Sequence, residues 1–197
     1  MKVFKLLTLC TIIVSSCSSP ITNYDILIKN GTIADGSGNA TYVGHVGINA
    51  DTIAAVGDLK NATGTTEIDA TGLVVAPGFI NMLSWATESL IIDGKSQSDI
   101  RQGVTLEVFG EGWSMGPYTE ELKKQLQENQ TEPKYDITWN TLGGYLEYLE
   151  NKGVSSNVAS FVGATTLRIN HVGYENRPPT EEELEAMKTM VREAMEE

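Results

Sequence analysis

The sequence has little positive charge. Lysine and arginine together number 14 among 197 residues, against 26 aspartates and glutamates, so the formal net charge is −12. This balance argues against nucleic acid as a partner, because binding to phosphate selects basic surfaces. Internal repeats and low-complexity tracts are also absent, while 41% hydrophobic and 20% charged residues fit a globular protein of one or two domains.

The first residues have the composition of a leader. Lys2 and Lys5 precede an apolar run over residues 6–14, and small residues follow. This pattern predicts a signal peptide over residues 1–16, which is too short to span a bilayer as a stable helix. Loss of the leader would remove Cys10 and leave Cys17 alone, so an internal disulfide is excluded for the mature part of this chain.

The end of the leader, Val14-Ser15-Ser16-Cys17, resembles a bacterial lipobox. It predicts cleavage before Cys17, a lipid on Cys17, and a polar tether over residues 17–22. The protein is then expected to be an exported bacterial lipoprotein that faces the periplasm and is attached to the membrane. The alternative is an ordinary signal peptide in which the cysteine occurs by chance.

Residues 23–72 are expected to form the N-terminal part of a small β-sandwich. Short alternating stretches such as "YDILIKN" are separated by glycine, asparagine and aspartate, which are typical of turns. Asn30-Gly31 in particular predicts a tight turn.

Residues 73–197 are expected to form an α/β domain. "LVVAPGFINML" is almost continuously apolar and predicts a parallel strand buried on both faces. "VTLEVF" and "SNVASFVG" predict further strands, and helical segments alternate with them, as in parallel α/β architectures. Thr180 and Glu183 form a capping-box pattern at the start of the last helix. Because a (β/α)8 barrel takes about 250 residues, we expect this chain to be an N-terminal fragment that holds an incomplete barrel.

Several ordered segments carry a family resemblance. "YDILIKNGTIADGSG", "VGINADTIAAVGDL", "IDATGLVVAPGFI" and "RQGVT" together resemble the amidohydrolase superfamily. "NVASFVG", followed by "TLR", and "PPTEEELEAMKTMVREAMEE" are similar to the D-aminoacylase group, the N-acyl-D-amino-acid deacylases. The resemblance runs from about residue 23 to the end of the chain.

The resemblance implies a β-sandwich followed by a metal-dependent (β/α)8 barrel. The implied reaction is hydrolysis of a non-peptide carbon–nitrogen bond in an N-acyl-D-amino acid or a related small amide. A metal, expected to be one zinc ion, would lower the pKa of bound water, and a carboxylate would shuttle the proton. Most metal ligands and the catalytic acid are expected outside this chain.

The chain departs from the family at its best-known metal position. Relatives end the first barrel strand with Pro-Gly-Phe-Ile-Asp-x-His-x-His, and Asn81, Leu83 and Trp85 occupy the matching positions here. Residues two apart on a strand share a face, so these three are expected to face the mouth together. Leucine has no donor atom, and the indole offers only an N–H, so neither replaces a metal-binding histidine.

Two further landmarks are also altered. Relatives read Gly-Asn-Cys-Gly after the next strand, where this chain reads Gly110-Glu111-Gly112-Trp113, one residue shorter. A carboxylate binds zinc, so Glu111 is the candidate metal ligand, and a solvated loop carboxylate is the alternative. The third landmark, Phe-Val-Gly-His, reads Phe161-Val162-Gly163-Ala164 and has lost its histidine.

Other site assignments follow from residue type and place. Trp85 and Trp113 are expected to line the substrate pocket, with ordinary core packing as the alternative. Glu107 lies inside an apolar strand, where a structural ion pair is favoured over a second site carboxylate. Leu83 and Trp85 also leave open a different class of protein, a lipid-anchored pseudoenzyme that uses the barrel as a binding module.

Overall fold

The computed structural model describes residues 22–197 of the chain. These residues form two compact units, and the boundary lies between Pro77 and Gly78. The leader and Cys17 lie outside the described residues, so cleavage and lipidation stay predictions. Among the described residues, no helix is both long enough and apolar enough to cross a membrane.

The first unit is a five-stranded mixed sheet. Its strands are β1 (Asn23–Ile33), β2 (Tyr42–Asn49), β3 (Thr52–Gly57), β4 (Thr63–Asp69) and β5 (Val74–Val75). The order across the sheet is β3–β2–β1–β4, and β5 also pairs with β1. β1 is antiparallel to β2 and parallel to both β4 and β5. The sheet confirms that this part of the chain is β structure, and its membership of a β-sandwich stays a prediction.

Asn30 and Gly31 lie inside β1, so the prediction of a tight turn there was wrong. The register of β1 against β2 shifts between Ile28 and Gly31, and Asn30 adopts a φ of 61°, which together mark a bulge. Asparagine tolerates this left-handed region better than most residues. Its side-chain amide also donates to Asp69 Oδ1 at 3.1 Å. A Cβ on Gly31 would lie 2.5 Å from Val75 Cγ2, so this position requires glycine.

The apolar stretch after Gly72 is two short strands in two different units. β5 joins the sheet of the first unit, whereas β6 (Phe79–Asn81) belongs to the second. Val74 is 67% exposed and Phe79 is 62% exposed. The prediction of one continuous strand buried on both faces was therefore wrong, because the two halves pair with different partners. For the same reason the boundary falls after Pro77 and not after Gly72.

The second unit contains a parallel three-stranded sheet in the order β6–β7–β8, with helices following the strands. β7 spans Val104–Phe109 and β8 spans Asn157–Ser160. The helices are α1 (Thr87–Ile92), α2 (Gln97–Ile100), α3 (Glu120–Glu128), α4 (Leu142–Lys152), α5 (Ala164–His171) and α6 (Glu181–Glu196). This alternation of parallel strands and helices confirms the α/β architecture expected for this part of the chain.

The core of the second unit lies where helices pack on β7. Tyr145 of α4 is fully buried between Phe109 of β7 and Trp139, with ring centroids 6.0 Å and 5.2 Å away. The Tyr145 hydroxyl donates to the carbonyl of Thr87 at 2.8 Å, at the start of α1. The same cluster contains the buried side chains of Leu90, Ile91, Met115, Tyr118, Leu122, Ile137, Leu142 and Leu149. Apolar burial of this kind is the main force that holds α1, α3 and α4 on the sheet.

The start of α6 has the predicted capping box. Thr180 Oγ1 accepts from the Glu183 amide at 3.2 Å, and Glu183 Oε2 accepts from the Thr180 amide at 2.7 Å. Arg177 donates two further hydrogen bonds to the Glu183 carboxylate, and these bonds lower the pKa of Glu183 to about 2. The apolar stripe of α6 is only half covered within the described residues, since Leu184 is 40% exposed.

Candidate functional site

Three loops meet at one edge of the parallel sheet. β6, β7 and β8 end at Asn81, Phe109 and Ser160, so the segments that follow share the carboxyl edge of the sheet. We call residues 82–86 the first loop, residues 110–119 the second loop and residues 161–163 the third loop. In barrel enzymes this edge is where the loops carry the chemistry.

The first loop places Leu83 and Trp85 outward and Ser84 inward. β6 ends at Asn81, so the prediction that Asn81, Leu83 and Trp85 lie on one strand face was wrong. The Asn81 side chain instead accepts from the Leu83 amide at 3.3 Å and starts a turn. Leu83 is 55% exposed and Trp85 is 85% exposed, whereas Ser84 is 6% exposed. The Ser84 amide donates to the Val108 carbonyl at 2.9 Å, which ties the loop to β7.

Glu107 is fully buried in β7 and is held by serine hydroxyls. Ser84 Oγ donates to Glu107 Oε2 at 2.5 Å, and Ser96 Oγ donates to Oε1 at 2.8 Å. Ser156 Oγ donates to Oε1 at 3.2 Å. Among residues 22–197 no ion pair involves this carboxylate, so the favoured ion-pair interpretation was wrong. Three serine hydroxyls thus satisfy the buried carboxyl group in place of a charged partner.

The second and third loops are joined through Ser114. Its amide donates to Thr166 Oγ1 at 2.8 Å, and its hydroxyl donates to the Gly116 carbonyl at 2.5 Å. The same hydroxyl accepts from the Gly163 amide at 2.9 Å. Ser114 is fully buried in this network.

Glu111, the candidate metal ligand, is exposed in the second loop. Within residues 22–197, no three histidine, cysteine, aspartate or glutamate side chains come together in a group able to hold a metal ion. Asn81, Leu83 and Trp85 therefore have no nearby set of donors that replaces the lost histidines. The described residues alone do not fit a metal centre, and the assignment of Glu111 stays a prediction.

A cavity of about 670 Å³ lies beside the second loop. Trp113 lines it, together with apolar and aromatic side chains that include Ile92, Met115, Tyr118, Leu122, Leu126, Tyr135 and Ile137. Its volume is within the usual range for a small-molecule site. The Tyr135 hydroxyl donates to Glu88 Oε1 at 2.8 Å. Burial, followed by this hydrogen bond to Glu88, raises the pKa of Tyr135, so its phenol stays a neutral donor.

A second cavity of about 370 Å³ lies beside the first loop. Trp85 and Glu107 line it with polar side chains, among them Asn81, Ser84, Asp93, Ser96 and Asp99. Trp85 and Trp113 thus line different cavities, and Glu111 lines neither of them. The two cavities share Ser89 and Asp93 in their linings, and the assignment of both tryptophans to the substrate pocket stays a prediction.

The serine partners of Glu107 were not predicted from the sequence. Their only sequence signal was the glutamate itself, a charged residue inside an otherwise apolar strand that needs buried donors. Ser84, Ser96 and Ser156 lie in three separate loops, so no local pattern connects them. The contact between Tyr135 and Glu88 was missed for the same reason, since it joins distant parts of the chain.

No family model matches the chain. A D-aminoacylase from Alcaligenes xylosoxydans xylosoxydans is 33% identical over 173 residues, which make up 87% of this chain and 36% of that relative. A solved D-aminoacylase structure, concerned with the functional role of a binuclear metal centre, matches with a TM-score of 0.77 at 30% identity. The chain is homologous to the D-aminoacylases of the amidohydrolase family. This homology confirms the family resemblance drawn from the sequence.

The D-aminoacylase homology extends to a second solved structure. An N-acyl-D-glutamate deacylase from Bordetella bronchiseptica, solved with zinc and a phosphonate mimic of the tetrahedral intermediate, matches with a TM-score of 0.75 at 27% identity. Each solved structure covers 88% of this chain, and this chain covers 36% of each of them. The described residues therefore match part of the fold of these D-aminoacylase-type amidohydrolases.

Proposed function

We propose that the protein to which this chain belongs hydrolyses the amide bond of an N-acyl-D-amino acid or a related small amide. The observation that carries this proposal is the D-aminoacylase similarity, which extends over 87% of the chain and includes both units. Three adjoining loops at the carboxyl edge of the parallel sheet support it, because barrel enzymes bind substrate at that edge.

The loops of this chain are better suited to contacting a substrate than to cleaving its amide bond. Leu83 and Trp85 give the first loop an exposed apolar surface, and Trp113 contributes to the larger, aromatic cavity. Such surfaces bind apolar parts of a ligand, whereas polar groups fix its orientation. In the proposed function these side chains contact the acyl part of the substrate, and the groups that cleave the amide bond lie elsewhere in the protein.

One zinc ion is part of the proposed function, with most of its ligands outside this chain. The donor set of residues 22–197 does not hold a metal by itself. Glu111 is proposed as the contribution of this chain, because it is an exposed carboxylate in the loop where relatives place a cysteine ligand. The solved N-acyl-D-glutamate deacylase with zinc supports the choice of metal.

The binding-module alternative has an observation of its own. Leu83 and Trp85 occupy the positions of paired histidines and are unable to bind a metal. A barrel that had lost catalysis would retain these loops as a ligand-binding surface, anchored to the membrane through Cys17. The two functions differ in one measurable property, which is whether the full-length protein holds metal and turns over substrate.

Replacing Glu111 with alanine tests the enzyme and the metal assignment together. In the full-length protein, Glu111→Ala is expected to lose bound metal and to lower hydrolysis of N-acetyl-D-amino acids by at least about tenfold. Leu83→Ala is the matched control, because it alters the neighbouring loop without removing a donor, and it is expected to retain the metal. Elemental analysis and a steady-state assay measure both quantities.

Each outcome of this experiment decides between the proposals. Wild-type metal content and rate in Glu111→Ala would show that the carboxylate is only a solvated loop residue. A wild-type protein with neither metal nor hydrolysis would overturn the enzyme and favour the binding module.

We also propose that the mature protein begins at a lipid-modified Cys17. The proposal rests on the leader and on Val14-Ser15-Ser16-Cys17. Mass spectrometry of the N-terminal peptide from membranes is expected to show acyl chains on Cys17. Cys17→Ser is expected to abolish the modification and release the protein from the membrane fraction. An unmodified N-terminus at a different residue would contradict this proposal.

A further inference from the structure

The first loop carries the residues that distinguish this chain from its relatives, yet it has little packing of its own. Leu83 and Trp85 are mostly exposed, so apolar contacts do not fix their positions. The only deeply buried side chain in residues 82–85 is that of Ser84. Apart from the bond from the Leu83 amide to Asn81 Oδ1, the hydrogen bonds described for this loop involve Ser84.

Ser84 is fixed by three hydrogen bonds. Its amide donates to the Val108 carbonyl at 2.9 Å, and its hydroxyl donates to Glu107 Oε2 at 2.5 Å. The Ser84 hydroxyl oxygen also accepts from the Ala86 amide at 3.1 Å, immediately before α1 begins. These bonds fix the backbone on both sides of Trp85.

Glu107 also connects this loop to two other segments. Its second oxygen accepts from Ser96, at the start of α2, and from Ser156, just before β8. A fully buried carboxylate is costly unless donors surround it, so the position must have a compensating role. An apolar residue would pack in a strand interior without that cost, but it would leave the Ser84 hydroxyl without its acceptor.

We propose that Glu107 is a positioning residue that holds the first loop through Ser84 and so fixes Leu83 and Trp85 at the rim of the candidate site. Trp85 and Glu107 line the same cavity of about 370 Å³, so the anchor and the side chain that it positions border one space. The expected effect of this positioning on hydrolysis of a substrate rests on the proposed amide hydrolysis. The positioning of the first loop does not rest on that proposal, and it is measurable without a substrate.

The test compares Ser84→Ala with Ser156→Ala in the full-length protein. Both serines are buried to a similar degree, at 6% and 5% exposure, and both donate to Glu107. Only Ser84 belongs to the first loop. Glu107→Gln is the third variant, because it keeps the shape of the side chain and leaves the bond between Ser84 and Ala86 in place.

Hydrogen–deuterium exchange of peptides that cover residues 82–86 is the first readout. Ser84→Ala and Glu107→Gln are expected to raise the exchange rate there by about tenfold or more, since each removes or weakens the hydrogen bond between Ser84 and the buried Glu107 side chain. Ser156→Ala is expected to stay within about threefold of wild type, because it leaves the bond between Ser84 and Glu107 intact.

Kinetics on N-acetyl-D-amino acids give the second readout. Ser84→Ala and Glu107→Gln are expected to lower kcat/KM by about tenfold while Ser156→Ala stays near wild type, since misplacement of a site group is costly even when the fold is kept. Equal loop exchange in Ser84→Ala and Ser156→Ala, or unchanged exchange in Glu107→Gln, would overturn the positioning role. If the wild type hydrolyses none of these substrates, the proposed function fails, and the exchange rates alone decide on Glu107.

Discussion

Replacing Tyr145 with alanine is expected to lower the free energy of unfolding of the second unit by about 3–5 kcal/mol. The side chain is fully buried, and its ring packs between Phe109 on β7 and Trp139. Truncation removes this apolar contact and leaves a cavity at the point where α4 meets the sheet. It also removes the donor to the Thr87 carbonyl, which links α4 to the start of α1.

Tyr145→Phe is the matched control for this prediction. It keeps the ring and removes only the hydroxyl, so the expected loss is about 1 kcal/mol, the usual value of one buried hydrogen bond. Urea unfolding followed by tryptophan fluorescence is a suitable measurement, because Trp139 lies against the Tyr145 ring. A loss below about 1 kcal/mol in Tyr145→Ala would mean that the cluster does not hold this unit together.

Elements that depend on local sequence were predicted well. The last helix has the capping box expected from Thr180 and Glu183, and each of these side chains accepts from the backbone of the other. α3 and α4 also lie between β7 and β8, as expected from the helical segments that alternate with the strands. Capping and helical periodicity are properties of a few neighbouring residues, so the sequence contains the information needed to predict them.

Features that depend on distant partners were predicted poorly. The apolar run after Gly72 was divided between two sheets, because Val74 pairs with Thr32 and Phe79 pairs with Val104. Asn30 became part of a bulge because its amide reaches Asp69 on a neighbouring strand. In both places the local composition was compatible with more than one structure, and strand pairing decided between them.

In the candidate site, too, the local features were predicted from the sequence and the contacts between distant residues were not. Glu107 stood out in the sequence as a charge in an apolar strand, but its serine donors lie between 11 and 49 residues away in the chain. The family resemblance located the first and second loops, and the structure places them at the same sheet edge. The resemblance did not show that Trp85 and Trp113 line different, adjoining cavities, because that depends on how α1 and α3 pack around them.

Replacing Gly163 with alanine is expected to displace the second loop. A Cβ at this position would lie 2.6 Å from the Ser114 amide nitrogen, 2.7 Å from the Gly112 carbonyl oxygen and 3.0 Å from the Gly110 carbonyl oxygen. All three atoms are backbone, so no side-chain rotation relieves the contact. The Gly163 φ of −69° suits any residue, so glycine is required here only because there is no room for a Cβ atom.

Gly112→Ala is the matched control on the other side of this contact. A Cβ on Gly112 has no neighbour within 4 Å, and its φ is not in the left-handed region. The change is therefore expected to leave the free energy of unfolding within about 1 kcal/mol of wild type. Gly163→Ala is expected to cost at least about 1–3 kcal/mol, the usual penalty for an inserted methyl group in a packed site.

The effect of Gly163→Ala on the site is expected to exceed its effect on stability. The second loop carries Glu111 and Trp113, and it is tied to the third loop by the bond from the Gly163 amide to Ser114 Oγ at 2.9 Å. A shift of about 1 Å in a site loop lowers catalysis by about a hundredfold, so kcat/KM and metal content of the full-length protein are the sensitive measurements. Thermal melting of the same samples separates displacement from unfolding. If Gly163→Ala and Gly112→Ala behave alike in all three measurements, then the close approach of the two loops does not hold in solution, and the position of Glu111 is not set by the third loop.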